Sequence, residues 1–197
     1  MFRLIESISR RALSLAGWAY VAITLLICFD IIARRLLGFS SEATGELTGY
    51  LMAVGMTWGL AGTLMERGHV RIDVLVQKMP LRLRVWLHLA SLVALLVTAG
   101  FYTYGSMSLA WDSFEMGATD ISALHTPLVA PQGVWAAGLA LLLLATVALA
   151  ARAVTQLLEG RQDDADRMLM ARTYEDEAAE TLEALAEVVH DEPGPRP

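Results

Sequence analysis

Five ionisable side chains gather where two apolar runs approach each other: Asp30, Arg34 and Arg35 at the end of the first, Glu42 and Glu46 at the start of the second. Charged groups at membrane depth are costly, so they either pair or mark a route for ions or substrate. Asp30 and Arg34 stand four residues apart, a spacing that lets them pair on one helix. Arg35 with Glu42 or Glu46 would link two helices. Two chemistries therefore fit, an ion or substrate pathway and a set of structural ion pairs. The position at the ends of the runs favours the structural one.

The histidines raise a different possibility, axial ligation of haem within a helical membrane bundle. His88 lies near the start of the third apolar run, His69 and His125 lie in connections, and His190 lies in the tail. No two of them meet at mid-membrane, which argues against haem. The single cysteine, Cys28, excludes a disulfide framework and a cysteine-based zinc site. On an apolar helix it is expected to act as a small buried hydrophobe. No H-E-x-x-H helix, G-x-S-x-G elbow or P-loop is present. The sequence therefore predicts no catalytic residue, no metal site, no cofactor and no enzyme.

The elements that position these groups are apolar. Hydrophobic residues make up 55% of the 197 and charged ones 18%, where a soluble domain carries about 25% charged residues. The mean hydropathy is +0.48. Spanning a bilayer takes about 20 apolar residues in a helix. Residues 12–29 and 47–65 contain no Asp, Glu, Lys or Arg; residues 85–111 also lack them and hold one histidine, His88; and 121–151 is also free of formal charge, though punctuated by Pro127 and Pro131. An all-α integral membrane domain over residues 1–159 follows, with spans near 12–33, 45–66, 85–111 and 132–152. The first run is too long for a signal-peptide core and lacks an A-x-A site, so it reads as an uncleaved helix. Residues 160–197 hold 4 Lys+Arg against 11 Asp+Glu. They form an acidic cytoplasmic tail, partly helical or disordered, and a solvated tail is favoured over a docked helix. The basic residues do not form a nucleic-acid surface.

Orientation follows from the basic flanks. The N-terminus has Arg3, Arg10 and Arg11, the second loop has Arg67, Arg71, Lys78, Arg82 and Arg84, and the C-terminal flank has Arg152, Arg161, Arg167 and Arg172; the opposite side has only Arg34 and Arg35. Both termini are expected in the cytoplasm. Residues 68–80 are too charged and too short to span. His69, Asp73 and Gln77 would share one helical face, consistent with either a helix lying in the cytoplasmic interface or a plain loop.

On the second run, Gly45, Gly49, Gly55, Gly59, Gly62 and Thr63 fall within about 140° of a helical wheel. Gly45/Gly49 and Gly55/Gly59 are small-x-x-x-small pairs, which let a neighbouring helix approach closely in lipid. The partner is not specified by the pattern. A complete carrier usually has inverted repeats around a midplane site, and four spans without mid-span charge are too few. The residues alone describe a membrane subunit without an active site.

The order of these features resembles the small membrane subunit (DctQ type) of tripartite ATP-independent periplasmic (TRAP) transporters over about residues 10–155. The resemblance rests on Arg34 or Arg35 closing the first helix, Glu46 opening the second, and Trp58 and Gly62 within it. It continues through Glu66-Arg67-Gly68-His69-Val70-Arg71-Ile72-Asp73 and Met79-Pro80, where the family shows an Arg, a His two or three positions later, an aliphatic residue and often an Asp. Ser122-Ala123-Leu124 and Pro131-Gln132-Gly133 resemble the family's S-x-x-L and P-x-G elements. The wider Pro127-to-Pro131 spacing and the long tail depart from the family pattern.

The resemblance implies a non-catalytic scaffold in the bacterial inner membrane. A large membrane subunit would transport an organic anion that a periplasmic binding protein delivers, driven by sodium coupled in the large subunit. Arg67, His69 and Asp73 join Asp30, Arg34, Arg35, Glu42 and Glu46 as candidate interface or structural ion-pair residues. Membrane lipid is the remaining expected contact. Two alternatives stand beside it: a membrane anchor for a redox enzyme, and a small homo-oligomeric carrier.

Overall fold

The computed structural model describes residues 2–39, 43–68, 79–122, 124–170, 178, 181 and 182. The amphipathic segment expected around His69, Asp73 and Gln77, and with it Glu42, lies outside the described residues. The apolar runs fold as α-helices, since a helix satisfies every backbone polar group within one segment. They are α1 (Phe2–Leu36), α2 (Thr44–Met65), α3 (Leu81–Glu115) and α4 (Val129–Leu158), followed by a short α5 (Gln162–Leu169). No strand occurs among the described residues, only an isolated bridge between Thr119 and Pro127.

The helices exceed the apolar runs that specify them. α1 and α3 have 35 residues each, about 52 Å at 1.5 Å per residue, against a hydrocarbon core of about 30 Å. Their charged ends, such as Arg3, Arg10, Arg82 and Arg84, therefore continue the helix beyond the apolar stretch. α4 starts at Val129 rather than near 132. Pro131 sits in its first turn, where the missing N–H has no intrahelical partner to lose. α1, α3 and α4 are long and apolar enough to cross a membrane. α2 is 22 residues long but richer in glycine and threonine.

Three helix ends close in the same way. After α3, Ala118 N–H bonds Ser113 C=O and Gly117 N–H bonds Phe114 C=O, with Gly117 at φ +58°. α4 repeats the pattern around Gly160, φ +75°. This is the Schellman closure, in which glycine takes the left-handed position without a Cβ penalty. α2 uses the same two bonds, but Arg67 takes the left-handed position at φ +57°.

The helices stand in a row, α1–α2–α4–α3, rather than closing into a ring. α2 packs on α1 and on α4, α4 packs on α3, and α1 meets α4 only slightly. Burial agrees: 39% of the apolar window of α4 is buried, against 17% for α1 and 22% for α3. The core concentrates where Ala61 and Leu64 of α2, Leu92 of α3, and Ala145, Leu149 and Ala153 of α4 converge, capped by Leu169 of α5.

Two local expectations change. Cys28 is exposed on the outer side of α1 instead of buried, because the face of α1 turned to α2 is set by Ser9, Ala16, Ile23 and Asp30, spaced every seven residues. The start of the acidic tail is docked, with Ala165, Asp166 and Leu169 buried.

Candidate functional site: a glycine seam between two polar locks

The seam lies between α1 and α2. A Cβ added at Gly62 would stand 2.4 Å from Leu13 Cβ and 2.8 Å from the Ser9 carbonyl oxygen. One at Gly55 would stand 3.1 Å from the Tyr20 ring, and one at Gly59 would touch Ala16 at 3.6 Å. The two helices therefore run antiparallel with small residues at the contact, the geometry that gives lipid-embedded helices their van der Waals packing. Gly45 and Gly49 have nothing within 4 Å of an added Cβ. The predicted stripe thus splits: its inner three glycines meet α1, and its outer two face open space.

A second close approach escaped the sequence reading. At Gly138 of α4 an added Cβ would lie 2.6 Å from both Thr57 Oγ1 and Trp58 Cδ1. Trp58 Nε1 donates to the Val134 carbonyl at 2.9 Å, so Trp58 fixes α2 against α4. Gly138 follows Gly133 in an alanine-rich stretch but has Val134 and Leu142 four positions away, so no small-x-x-x-small pair marks it. On the other side of α4, Thr103 of α3 donates to the Leu139 carbonyl at 3.1 Å.

At one end of the row, α2 is tied to the connection between α3 and α4. Ser122 Oγ donates to Glu46 Oε2, and Tyr50 Oη donates to Asp120 Oδ2 at 2.9 Å. Glu46 and Ser122, separated by 76 positions, are two of the residues that carry the family resemblance, and the fold brings them together. Asp30 is buried on α1 and accepts from Arg34 Nη2 at 2.6 Å, as their spacing permits. Arg35 is exposed and forms no ion pair among the described residues, so no Arg35–Glu46 link is present.

At the opposite end, Asp166 of α5 is 2% exposed. Arg84 grips both its oxygens, with Nε donating to Oδ1 at 2.8 Å and Nη2 to Oδ2. His88 Nε2 stands 3.6 Å from Oδ1 and is itself buried. A bidentate guanidinium–carboxylate pair is both strong and directional. It joins the short α5 to α3, beside the buried Ala165 and Leu169. Sequence reasoning missed this lock. Asp166 is one of 11 acids in an acidic tail, and nothing local separates it from the rest. Its one hint is the four-residue spacing that sets Ala165 and Leu169 on one helical face.

Among the described residues no group of three or more His, Cys, Asp or Glu side chains is placed to hold a metal ion. The polar groups pair with one another across helix ends instead of converging on a central cleft.

A row of apolar helices sewn by glycine contacts and locked at both ends defines a membrane subunit whose conspicuous chemistry is structural. The chain matches the family described as tripartite ATP-independent periplasmic transporters, DctQ component, over residues 23–156, and it belongs to that family. It is a TRAP transporter small subunit, a transport component and not an enzyme. No curated protein and no solved structure matches it.

Proposed function

We propose that this chain is the fixed scaffold against which a large, many-span subunit moves solute. The family works with such a subunit and with a periplasmic binding protein. In this reading the binding protein delivers an organic anion, and sodium is coupled in the large subunit, with no cofactor bound here. The observation that carries the reading is the locked row. Each helix is joined to its neighbour by close glycine contacts, interhelical hydrogen bonds or a buried ion pair, which suits a part that must stay still while another moves.

The same reading makes α2 a fourth span in the bacterial inner membrane. It lies antiparallel along α1 and beside α4, at the depth of both, and a helix covered on two sides by protein needs less hydropathy to remain in lipid. The Arg84–Asp166 end faces the cytoplasm together with both termini, following the basic flanks. The Glu46–Ser122 end faces the periplasm.

Tagging only this chain and purifying it in mild detergent, after expression with the large-span protein encoded beside its gene, tests the scaffold. A stable one-to-one complex is expected. A partner-free homo-oligomer would contradict it and favour a self-sufficient carrier.

A further inference from the structure

At the proposed cytoplasmic end of the row, the start of α3, the end of α4 and the start of α5 bound a cleft of about 310 Å³. Its lining divides by chemistry. Val85, Trp86 and Leu89 belong to the apolar run of α3, and α4 contributes Leu157. Arg82, one turn before Trp86, and Gln162, the first residue of α5, are polar. Trp86 is 69% exposed, an amphipathic ring at a span end, where aromatic belts sit. A largely apolar lining with a few polar groups is the usual make-up of a ligand site, and here the polar groups lie just outside the apolar run.

Two opposite charges flank this cleft. Arg82 is exposed and forms no ion pair among the described residues. Asp163, the residue after Gln162, is also exposed and in no ion pair among them. It precedes Asp166 by three positions and so lies on the side of α5 that turns to α3. The neighbouring cations are already engaged: Arg84 Nε donates to Asp166 Oδ1 at 2.8 Å, and Arg161 pairs with Glu159 and Asp164. The Arg84–Asp166 lock sets α5 beside α3, and with it an acid beside one wall of the cleft and a cation on the other.

We propose that this cleft binds phosphatidylethanolamine, with its phosphate at Arg82, its primary ammonium at Asp163 and its first acyl carbons against Val85, Leu89 and Leu157. Basic pockets between membrane helices on the cytoplasmic side recognise lipid headgroups, and a primary ammonium offers a carboxylate charge-assisted N–H donors. A choline headgroup carries the same charge but no N–H, and a glycerol headgroup brings no cation to the acid. The soluble headgroup alone would satisfy both charges but gain nothing from the apolar wall. Leu157 and Gln162 lie beyond the residues 23–156 that match the family, so the site belongs to the end of α4 and to α5 of this chain. The proposal rests on the membrane orientation given above.

The test is native mass spectrometry of the full chain, with its large partner attached where that co-purifies. The protein is exchanged into neutral detergent and offered phosphatidylethanolamine, phosphatidylcholine or phosphatidylglycerol of the same acyl chains, with glycerophosphoethanolamine as a soluble competitor. Phosphatidylethanolamine should be retained above the other two lipids. Arg82→Gln should weaken its retention about fivefold, the worth of one basic residue at a lipid surface. Asp163→Asn should instead abolish the preference for ethanolamine over choline, a change that general loosening of α5 would not produce. Retention of phosphatidylethanolamine no better than that of either other lipid, unchanged binding in either variant, or displacement by the soluble headgroup as an equal competitor would overturn the site. Release of the chain from membranes by alkaline carbonate would instead overturn the membrane reading on which it stands.

Discussion

At the α5 end of the row a buried carboxylate, Asp166, is gripped by Arg84, with His88 Nε2 3.6 Å away, whereas at the other end Glu46 and Asp120 accept from the hydroxyls of Ser122 and Tyr50. The first lock joins opposite charges away from water, so losing one partner strands the other. The second joins carboxylates to neutral donors beside an exposed connection. Its carboxylates keep further acceptor capacity, so they can exchange partners at modest cost. One end is built to stay closed and the other to be approached. In the proposed orientation the approachable end faces the periplasm, where the binding protein would arrive.

That contrast is broken most directly at Asp166. Asp166→Ala should destabilise the protein by about 3 kcal/mol, the typical cost of orphaning one member of a buried ion pair, and should release α5. Thermal unfolding in detergent and protease sensitivity near residue 160 both report it, and unchanged protection would mean that α5 is held by apolar contact alone. Within the seam, Gly62→Ala should cost about 1–3 kcal/mol through overpacking against Leu13 and the Ser9 carbonyl. Gly49→Ala, facing open space, should be neutral or slightly stabilising, since alanine is the better helix former. Equal losses at the two positions would mean that the close α1–α2 contact does not decide stability.

Smaller still is Glu46→Ala. It removes the acceptor for Ser122 and should leave the melting temperature nearly unchanged while loosening assembly with the large subunit; unaltered co-purification and uptake would remove Glu46 from the interface. Single cysteines placed in a Cys28→Ala background should leave stability unaffected and report sidedness. Ile121→Cys should label from outside intact cells, and Leu158→Cys only after permeabilisation. The reverse pattern would invert the assignment of the two ends.

Much of this architecture is legible in the residues because lipid imposes a simple code. Long uncharged runs must be helices, and small residues at helical spacing must allow close approach. The code gives a stripe but not its partner, which is why Gly55, Gly59 and Gly62 look alike with Gly45 and Gly49 in the sequence, and only the fold separates them. It fails for contacts whose cause is tertiary. Arg84 and Asp166 are 82 residues apart, and the acid lies among many that look alike in composition. Gly138 meets Trp58 across two helices whose adjacency no local pattern reveals. Cys28 reads as a core residue by type, but rotation of α1 about its seven-residue seam turns it outward. Spacing permits an Asp30–Arg34 pair because both groups lie on one helix turn; Glu46 has no such local partner, and its Ser122 contact depends on the α3–α4 connection folding back over α2.

The scaffold role is tested most directly by sodium-driven uptake into proteoliposomes, with this chain, the large subunit and the binding protein added or omitted in turn. The expected result is uptake with all three, none with this chain alone, and loss of uptake when this chain is left out. Transport by the chain alone, or full uptake without it, would contradict the scaffold role.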